Sequence, residues 1–398
     1  MCIRDRDDDL PQENVKSVFA SLRVNDYKHL SIGLLGSAFA LNMQLIAQGW
    51  MVYEMTSSAM KLTWVTLSFM IPQVVFSLLG GVLADRFAKK PIIGWAPFIN
   101  GLATLVMALI IFSGKADFLA FLVIGFLNGT VLALSMPART AFIPELVGEE
   151  LIFNAMAFNS ACWNLARIVG PAAAGFIIAI FAEGKTTSGF GVGLVYVILS
   201  LLYFVSALSV LYISHPGRPV QIQKKSALID TQEALKYVVN SPIVGGLILL
   251  SILPFLFGLS INTLLPAFST DVLKGGPDDL GLLMTGMGFG AIIGSLALAK
   301  MSSFTKKGFW IIGTGALWGG LVAIFSITND YLISTIVIGC IGFVSAINMS
   351  MNRSVMQLQV AQSMRGRIMS VDMMSHGLMP LGILPIGYIA ETTSVATS

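Results

Sequence analysis

The 398-residue chain is 55% hydrophobic and only 11% charged, whereas a soluble domain carries about 25% charged residues, so an ordinary water-soluble fold of this size is excluded. Its 24 Lys+Arg against 21 Asp+Glu give a net charge of +3, too small and too scattered for a nucleic-acid surface. A mean hydropathy of +0.81 points to a polytopic membrane protein. Cys2, Cys162 and Cys340 lie far from one another and from any histidine, so they offer neither a disulfide framework nor zinc spacing.

Residues 1–29 form a hydrophilic tail. Its first six residues, MCIRDR, back-translate to a transposase end used in sequencing libraries and are read as an artefact, with a short natural cytoplasmic tail as the alternative. No secretory signal precedes Leu30. Eleven apolar stretches then follow, at 30–54, 61–84, 91–113, 118–138, 151–182, 190–213, 241–270, 278–300, 308–328, 331–352 and 367–391. Each is about the 20 residues that a helix needs to cross hydrocarbon, and their continuity excludes the short alternating strands of a barrel. The fold class is therefore all-α and polytopic.

With the amino terminus cytoplasmic, 19 basic residues fall on the inside, while only Lys61, Lys115, Lys185 and Lys274 fall outside and Arg167 lies within a helix. The longest polar interval, 214–240, divides a six-helix lobe at 30–213 from a five-helix lobe at 241–398. Ala227, Leu228, Leu235, Val238 and Val239 in that interval are spaced for a weakly amphipathic surface helix, and a plain solvated linker is the alternative. An offset of 214 residues superposes Gly80 on Gly294, Arg139 on Arg353 and Pro171 on Pro385, which indicates an internal repeat. Under that offset a twelfth helix begins near 404, so the carboxyl end is expected to be truncated.

The loop after the second stretch reads Gly81-Val-Leu-Ala-Asp85-Arg86-Phe-Ala-Lys89-Lys90. It resembles the signature of the major facilitator superfamily, with Ala88 where that family usually has glycine. The segments Trp50-x-x-Tyr53-x-x-Thr56-x-Ser58, Pro137-Ala-Arg139, Ala166-Arg167-Ile-Val-Gly170-Pro171 and Arg365-Gly-Arg367 together resemble its exporter branch of enterobactin and macrolide efflux proteins. This resemblance implies two pseudo-symmetric six-helix lobes, cargo exposed alternately to each side, and an inner latch formed by the signature loop. The stretch Gly170-Pro171-Ala-Ala-Ala-Gly175 resembles the antiporter motif of the fifth helix, which implies export against a proton gradient. Bottom-up, proline removes a backbone hydrogen bond and small residues let a neighbour approach, so bending or tight helix packing is the other reading.

Arg167 lies near the middle of its helix, where a charge costs several kcal/mol unless it is paired or hydrated, so it should face a polar cavity. Asp372 and His376, four apart, share one helical face and form a candidate proton-exchanging pair. Because Asp372 lies five residues beyond Arg367, a position in cytoplasmic water is equally open. Asn42, Gln44, Gln48, Asn128, Asn159, Trp163, Asn164, Asn262 and Asn348 are further candidates for a binding cavity, each also able to tie helices together. Gly286-x-Gly288-x-Gly290 sits in an apolar helix with no preceding strand, so close packing explains it better than a nucleotide loop.

The expected function is proton-coupled efflux of a small amphipathic compound, a siderophore or a hydrophobic drug, by a monomer in a bacterial inner membrane. The expected partners are the cargo, protons and the lipid bilayer, without nucleic acid. No cofactor or metal is expected, the proton gradient being the energy source. An uptake permease of the same fold is the alternative, and a membrane-embedded enzyme or non-transporting receptor is remote. His29, His215 and His376 lie near different helix ends and give no catalytic set.

Overall fold

The computed structural model describes residues 19–182, 189–217, 227–258, 261–300, 307–360, 368, 371–372 and 379–398. Every regular element among them is helical. A short turn at Ala20–Arg23 leads into α1 (Asn25–Thr56), α2 (Ala59–Arg86), α3 (Lys89–Phe112), α4 (Phe118–Val147), α5 (Ile152–Ala182) and α6 (Gly189–Leu211). Then come α7 (Ala227–Asn240), α8 (Pro242–Leu253), α9 (Ile261–Asp271), α10 (Pro277–Lys300), α11 (Lys307–Ser326), α12 (Tyr331–Gln359) and α13 (Met379–Thr392). Among the described residues ten segments are long and apolar enough to cross a membrane, and Leu381–Thr392 is a shorter apolar helix, close to the eleven stretches expected. Side-chain caps start several of them. Ser58, Asp117 and Asp330 each accept the backbone N–H three residues on, satisfying a donor that the helix leaves open.

Two boundaries differ from the sequence reading. The fourth helix does not close at Arg139 but runs through Pro144 to Val147 and stops at Gly148, whose φ of 71° suits glycine. Arg139 therefore lies inside the helix rather than in a loop. The stretch 241–270 is not one helix, because Pro254 lacks an amide donor and a π turn spans Pro254–Gly258 between α8 and α9. The interval after α6 does contain a helix, α7, but it packs through Tyr237 and Val238, while Leu235 and Val239 are exposed.

The internal repeat is visible in the elements themselves. Shifting α4 by 214 residues gives 332–361, against Tyr331–Gln359 for α12, and shifting α3 gives 303–326, against Lys307–Ser326 for α11. The pairings match too, since α2 packs on α4 as α10 packs on α12. Gly290 meets the Gly339 carbonyl in that second pair, which is the close packing expected of the Gly-x-Gly run.

The two halves touch through α5 against α10 and α2 against α13. One apolar cluster, including Met43, Ile178, Leu265, Phe268, Leu283 and Ile338, runs across both halves. At the opposite end, beside the 213–217 segment, the apolar residues form two separate clusters. Tyr27, Ile93, Phe142 and Ile213 belong to the first half, and Leu247, Ile311, Met356 and Ile368 to the second. The lobes are thus fused at one end, here the joined end, and packed independently at the other, the linker end.

Candidate transport site

Helix α5 presents two exposed faces. Leu165, Val169, Phe176 and Ile180 form an apolar one. Ser160, Asn164 and Arg167 are also exposed, with half-buried Trp163 beside them, and at 100° per residue they lie roughly opposite Leu165 and Val169. The apolar face suits lipid, so the polar face turns toward the space between the lobes. Arg167 donates from Nη2 to Asn164 Oδ1 at 3.3 Å on the same helix. Half-buried Asn159 begins this stretch.

The Gly170-Pro171 motif serves two contacts at once. A Cβ on Gly170 would press against Asn42 of α1 within the lobe, and one on Gly175 would run into the Pro277 carbonyl and the Gly281 backbone of α10. Tight packing at the lobe interface is therefore what this motif does in this conformation.

Polar ties reinforce the joined end. Tyr53 donates its hydroxyl to Asp271 Oδ2 across the lobes. Glu391 of α13 accepts from Ser58 Oγ at 2.9 Å and from the Met60 amide at 3.2 Å, so a carboxylate of one lobe caps a helix of the other. Sequence reading missed Asp271 and Glu391 because their partners lie more than 200 positions away.

At the linker end the signature cations are engaged within one lobe. Lys89 pairs with Glu145 at 2.8 Å and is buried, while Lys90 donates to the carbonyls of Leu211 at 3.2 Å and Ile213 at 2.5 Å. The ammonium of Lys90 thereby satisfies orphan carbonyls at the end of α6. Arg86 is exposed, and a Cβ on Gly81 would meet open space. The Asp85 side chain, Arg365, Arg367 and His376 lie outside the described residues.

Asp372 is fully buried. Of the two positions left open by the sequence, a place in cytoplasmic water is the one the structure removes: distance from Arg367 along the chain does not measure depth once α8 and α12 pack over the residue. Its Oδ1 accepts from Ser251 Oγ at 2.5 Å, and its Oδ2 lies 3.6 Å from Arg353 Nε without a hydrogen bond. Neither Ser251 nor Arg353 was singled out as a partner from sequence.

The remaining amides divide by role. Asn348 donates to the Ile311 carbonyl at 2.8 Å and lies 2.9 Å from Thr314 Oγ1, tying α12 to α11. Asn42 bonds its own helix at the Ala38 carbonyl. Asn128 donates to Gln44 at 3.1 Å, and Gln44 donates to Gln48 at 3.3 Å, a ladder between α4 and α1. Asn262 is half-buried, with an unpartnered Oδ1. Asn128, Trp163 and Arg139 meet in the wall of one cavity at the heart of the first lobe, together with Asn100, Ser135 and Tyr203, which the sequence did not mark.

A family model described as transmembrane secretion effector matches residues 16–398. The chain belongs to this family of major facilitator transporters. It is 25% identical over 343 residues to the enterobactin exporter EntS of Citrobacter koseri, covering 85% of this chain and 76% of that one. The same exporter from Escherichia coli O1:K1 is also 25% identical, over 345 residues. Among solved structures, the nucleoside transporter NupG superposes with a TM-score of 0.73 at 15% identity, covering 94% of each chain. A bacterial homolog of the human lysosomal transporter Spinster gives 0.72 at 17% identity, covering 92% of this chain and 82% of that one. These two likenesses concern the fold. As a member of the transmembrane secretion effector family, the chain is an integral membrane transporter of small molecules and not an enzyme, as its fold and motifs anticipated.

Proposed function

We propose that this transporter is a proton-coupled exporter of a small amphipathic compound, a siderophore or hydrophobic drug, working as a monomer in a bacterial inner membrane with its amino terminus in the cytoplasm. The observation that carries the coupling is Asp372, a carboxylate with no solvent exposure, held by Ser251 and Arg353 inside an apolar lobe. Ionisable residues inside a membrane span are costly to bury and commonly belong to proton or ion paths. Likeness to exporters named for enterobactin supports the outward direction and the siderophore class.

In this reading the linker end faces the cytoplasm, in keeping with the excess of basic residues there. The present form, joined at the other end, receives cargo from the cytoplasm against Trp163, Asn164 and Arg167. The signature residues Gly81, Asp85, Arg86, Lys89 and Lys90 then help close the linker end as the Gly175 contact opens. By their place in the sequence, Arg365, Arg367 and His376 are assigned to that closure or to the proton path. The division into tail, two lobes and linker at 30, 213 and 240 is part of the same proposal.

Inverted membrane vesicles with a pH-sensitive dye test it. Addition of cargo should dissipate the proton gradient with the parent protein and not with Asp372→Asn. Cargo that moves only down its own gradient, with the pH unaffected, would replace the exchanger by a uniporter or an uptake permease.

A further inference from the structure

Ser251 and Asp372 stand on two separate segments of the second lobe, and their side chains clasp the two together, Ser251 Oγ donating to Asp372 Oδ1 at 2.5 Å. Ser251 lies in α8, which leads through the π turn at Pro254–Gly258 toward α9. Asp372 lies just ahead of α13, in the apolar stretch 367–391. Farther along the same two segments stand the two carboxylates that grip the first lobe. Asp271 closes α9 and accepts from Tyr53, while Glu391 near the end of α13 accepts from Ser58 and Met60.

Between clasp and grips the two segments meet backbone to backbone. A Cβ on Gly382 of α13 would run into the Leu256 carbonyl and Cα in the π turn, so glycine is what lets the segments come this close. The turn is also where Pro254 supplies no amide to its helix, and a break of this kind is where a span bends. The clasp thus lies on one side of the Gly382–Leu256 crossing and both grips lie on the other, the arrangement of a pair of tongs.

The strength of the clasp depends on charge. A hydrogen bond to a carboxylate is about twice as strong as one to a neutral acceptor, so neutralising Asp372 weakens its hold on Ser251. Among the described residues α12 brings Arg353 to Asp372, at 3.6 Å from Oδ2, and α8 carries no titratable side chain, so Ser251 is the polar link from this carboxylate to α8. One turn earlier, Asn352 of α12 donates to the Leu247 carbonyl at 3.0 Å. That bond keeps the start of α8 in its lobe, and the length beyond Ser251 is what the clasp steers.

We propose that Ser251 transmits the charge state of Asp372 to the joined end, through the two segments that cross at Gly382 and Leu256. With Asp372 ionised, the clasp holds the segments together and both grips stay on the first lobe. With Asp372 neutral, the segments part about their crossing and both grips let go together. The inference deepens the exporter reading and rests on it for the proton on Asp372. It makes Ser251 a positioning residue and places the bonds of Asp271 and Glu391 under one control.

The test measures two distances in the full chain in lipid nanodiscs, its own cysteines replaced by alanine. Spin labels in place of Lys115 and Lys274 follow the Asp271 grip, and labels in place of Lys115 and Thr393 follow the Glu391 grip, all three positions being exposed. Ser251→Ala and Asp372→Asn should each raise the population in which both distances are longer, by about tenfold. The double variant should go no further than either single one, because both act on the same bond. Ser251→Thr keeps the hydroxyl and should behave as the parent. A merely structural serine would lower the melting temperature and leave the distances where they were. Unchanged distances in Ser251→Ala, movement of only one pair, or shifts that add in the double variant would overturn the clasp. Should Ser251→Ala fail to fold, Asp372→Asn alone decides, and parent-like distances there overturn it equally. The vesicle assay separates the two readings: cargo-driven proton flux by the parent with unchanged distances in Ser251→Ala removes the clasp and leaves the exporter standing, whereas joint opening in Ser251→Ala without proton flux by the parent removes the exporter alone.

Discussion

Arg139 and Arg353 occupy the same turn of equivalent helices, 214 residues apart, and among the described residues only Arg353 stands beside a carboxylate, with Asp372 Oδ2 at 3.6 Å. The duplicated lobes have therefore diverged in charge at the matching place.

Removing Arg353 should be harsher than removing both charges. Arg353→Ala leaves buried Asp372 with Ser251 as its one partner among the described residues, and an uncompensated buried charge costs about 3–5 kcal/mol. Adding Asp372→Asn should restore much of the loss. Thermal unfolding in detergent of the two single variants and the double variant measures this coupling. A double variant less stable than Arg353→Ala would show that the pair is not what holds the lobe together.

The joined end should loosen when its cross-lobe ties are cut. Tyr53→Phe removes the bond to Asp271, and Glu391→Gln weakens the cap on Ser58 and Met60. Each bond to a charged group contributes about 1.5–3 kcal/mol, so the double variant should shift the population toward the form opened at that end by tenfold or more. Distances between spin labels on α2 and α13 near that end report the shift. Unchanged distance distributions would assign closure to apolar packing alone.

Bulk at Gly175 should act in the same direction without touching charge. A side chain there collides with the Pro277 carbonyl and the Gly281 backbone, which cannot move aside as a flexible side chain can. Gly175→Leu should remain folded, lose transport, and expose cysteines placed in α5 and α10 at the joined end to reagents. A parent-like labelling rate would refute the steric account.

Asn348 should prove structural. Asn348→Leu removes both ties of α12 to α11 while the Thr314 hydroxyl keeps its bonds to the Trp310 and Ile311 carbonyls, at a cost of about 0.5–1.5 kcal/mol in stability per bond, with cargo affinity per folded molecule unchanged. A fall in affinity without a fall in melting temperature would return Asn348 to the cargo site.

Much of this molecule was set locally along the chain. Apolar runs of about 20 residues make spanning helices wherever they occur, because lipid leaves the backbone no other partner, and the repeat and the signature loop are spacings on one line. The helices, the duplication and the family followed from those alone. Even there the register of caps and breaks had to be seen, as with α4 running past Arg139 and the π turn after α8.

The sites were decided by tertiary packing. A sequence gives a residue's place along its helix but not which neighbour covers it, and burial depends on that neighbour. The sequence left Asp372 either in a proton-exchanging pair or in cytoplasmic water, and it is buried because Ser251 and Arg353 arrive from helices 121 and 19 positions away in sequence. Asn100 and Tyr203 looked like ordinary helix residues until six helices closed around Arg139. Hydrophobic patterning fixes that a helix has an inner face, and only the lateral arrangement of several helices determines which polar groups meet there.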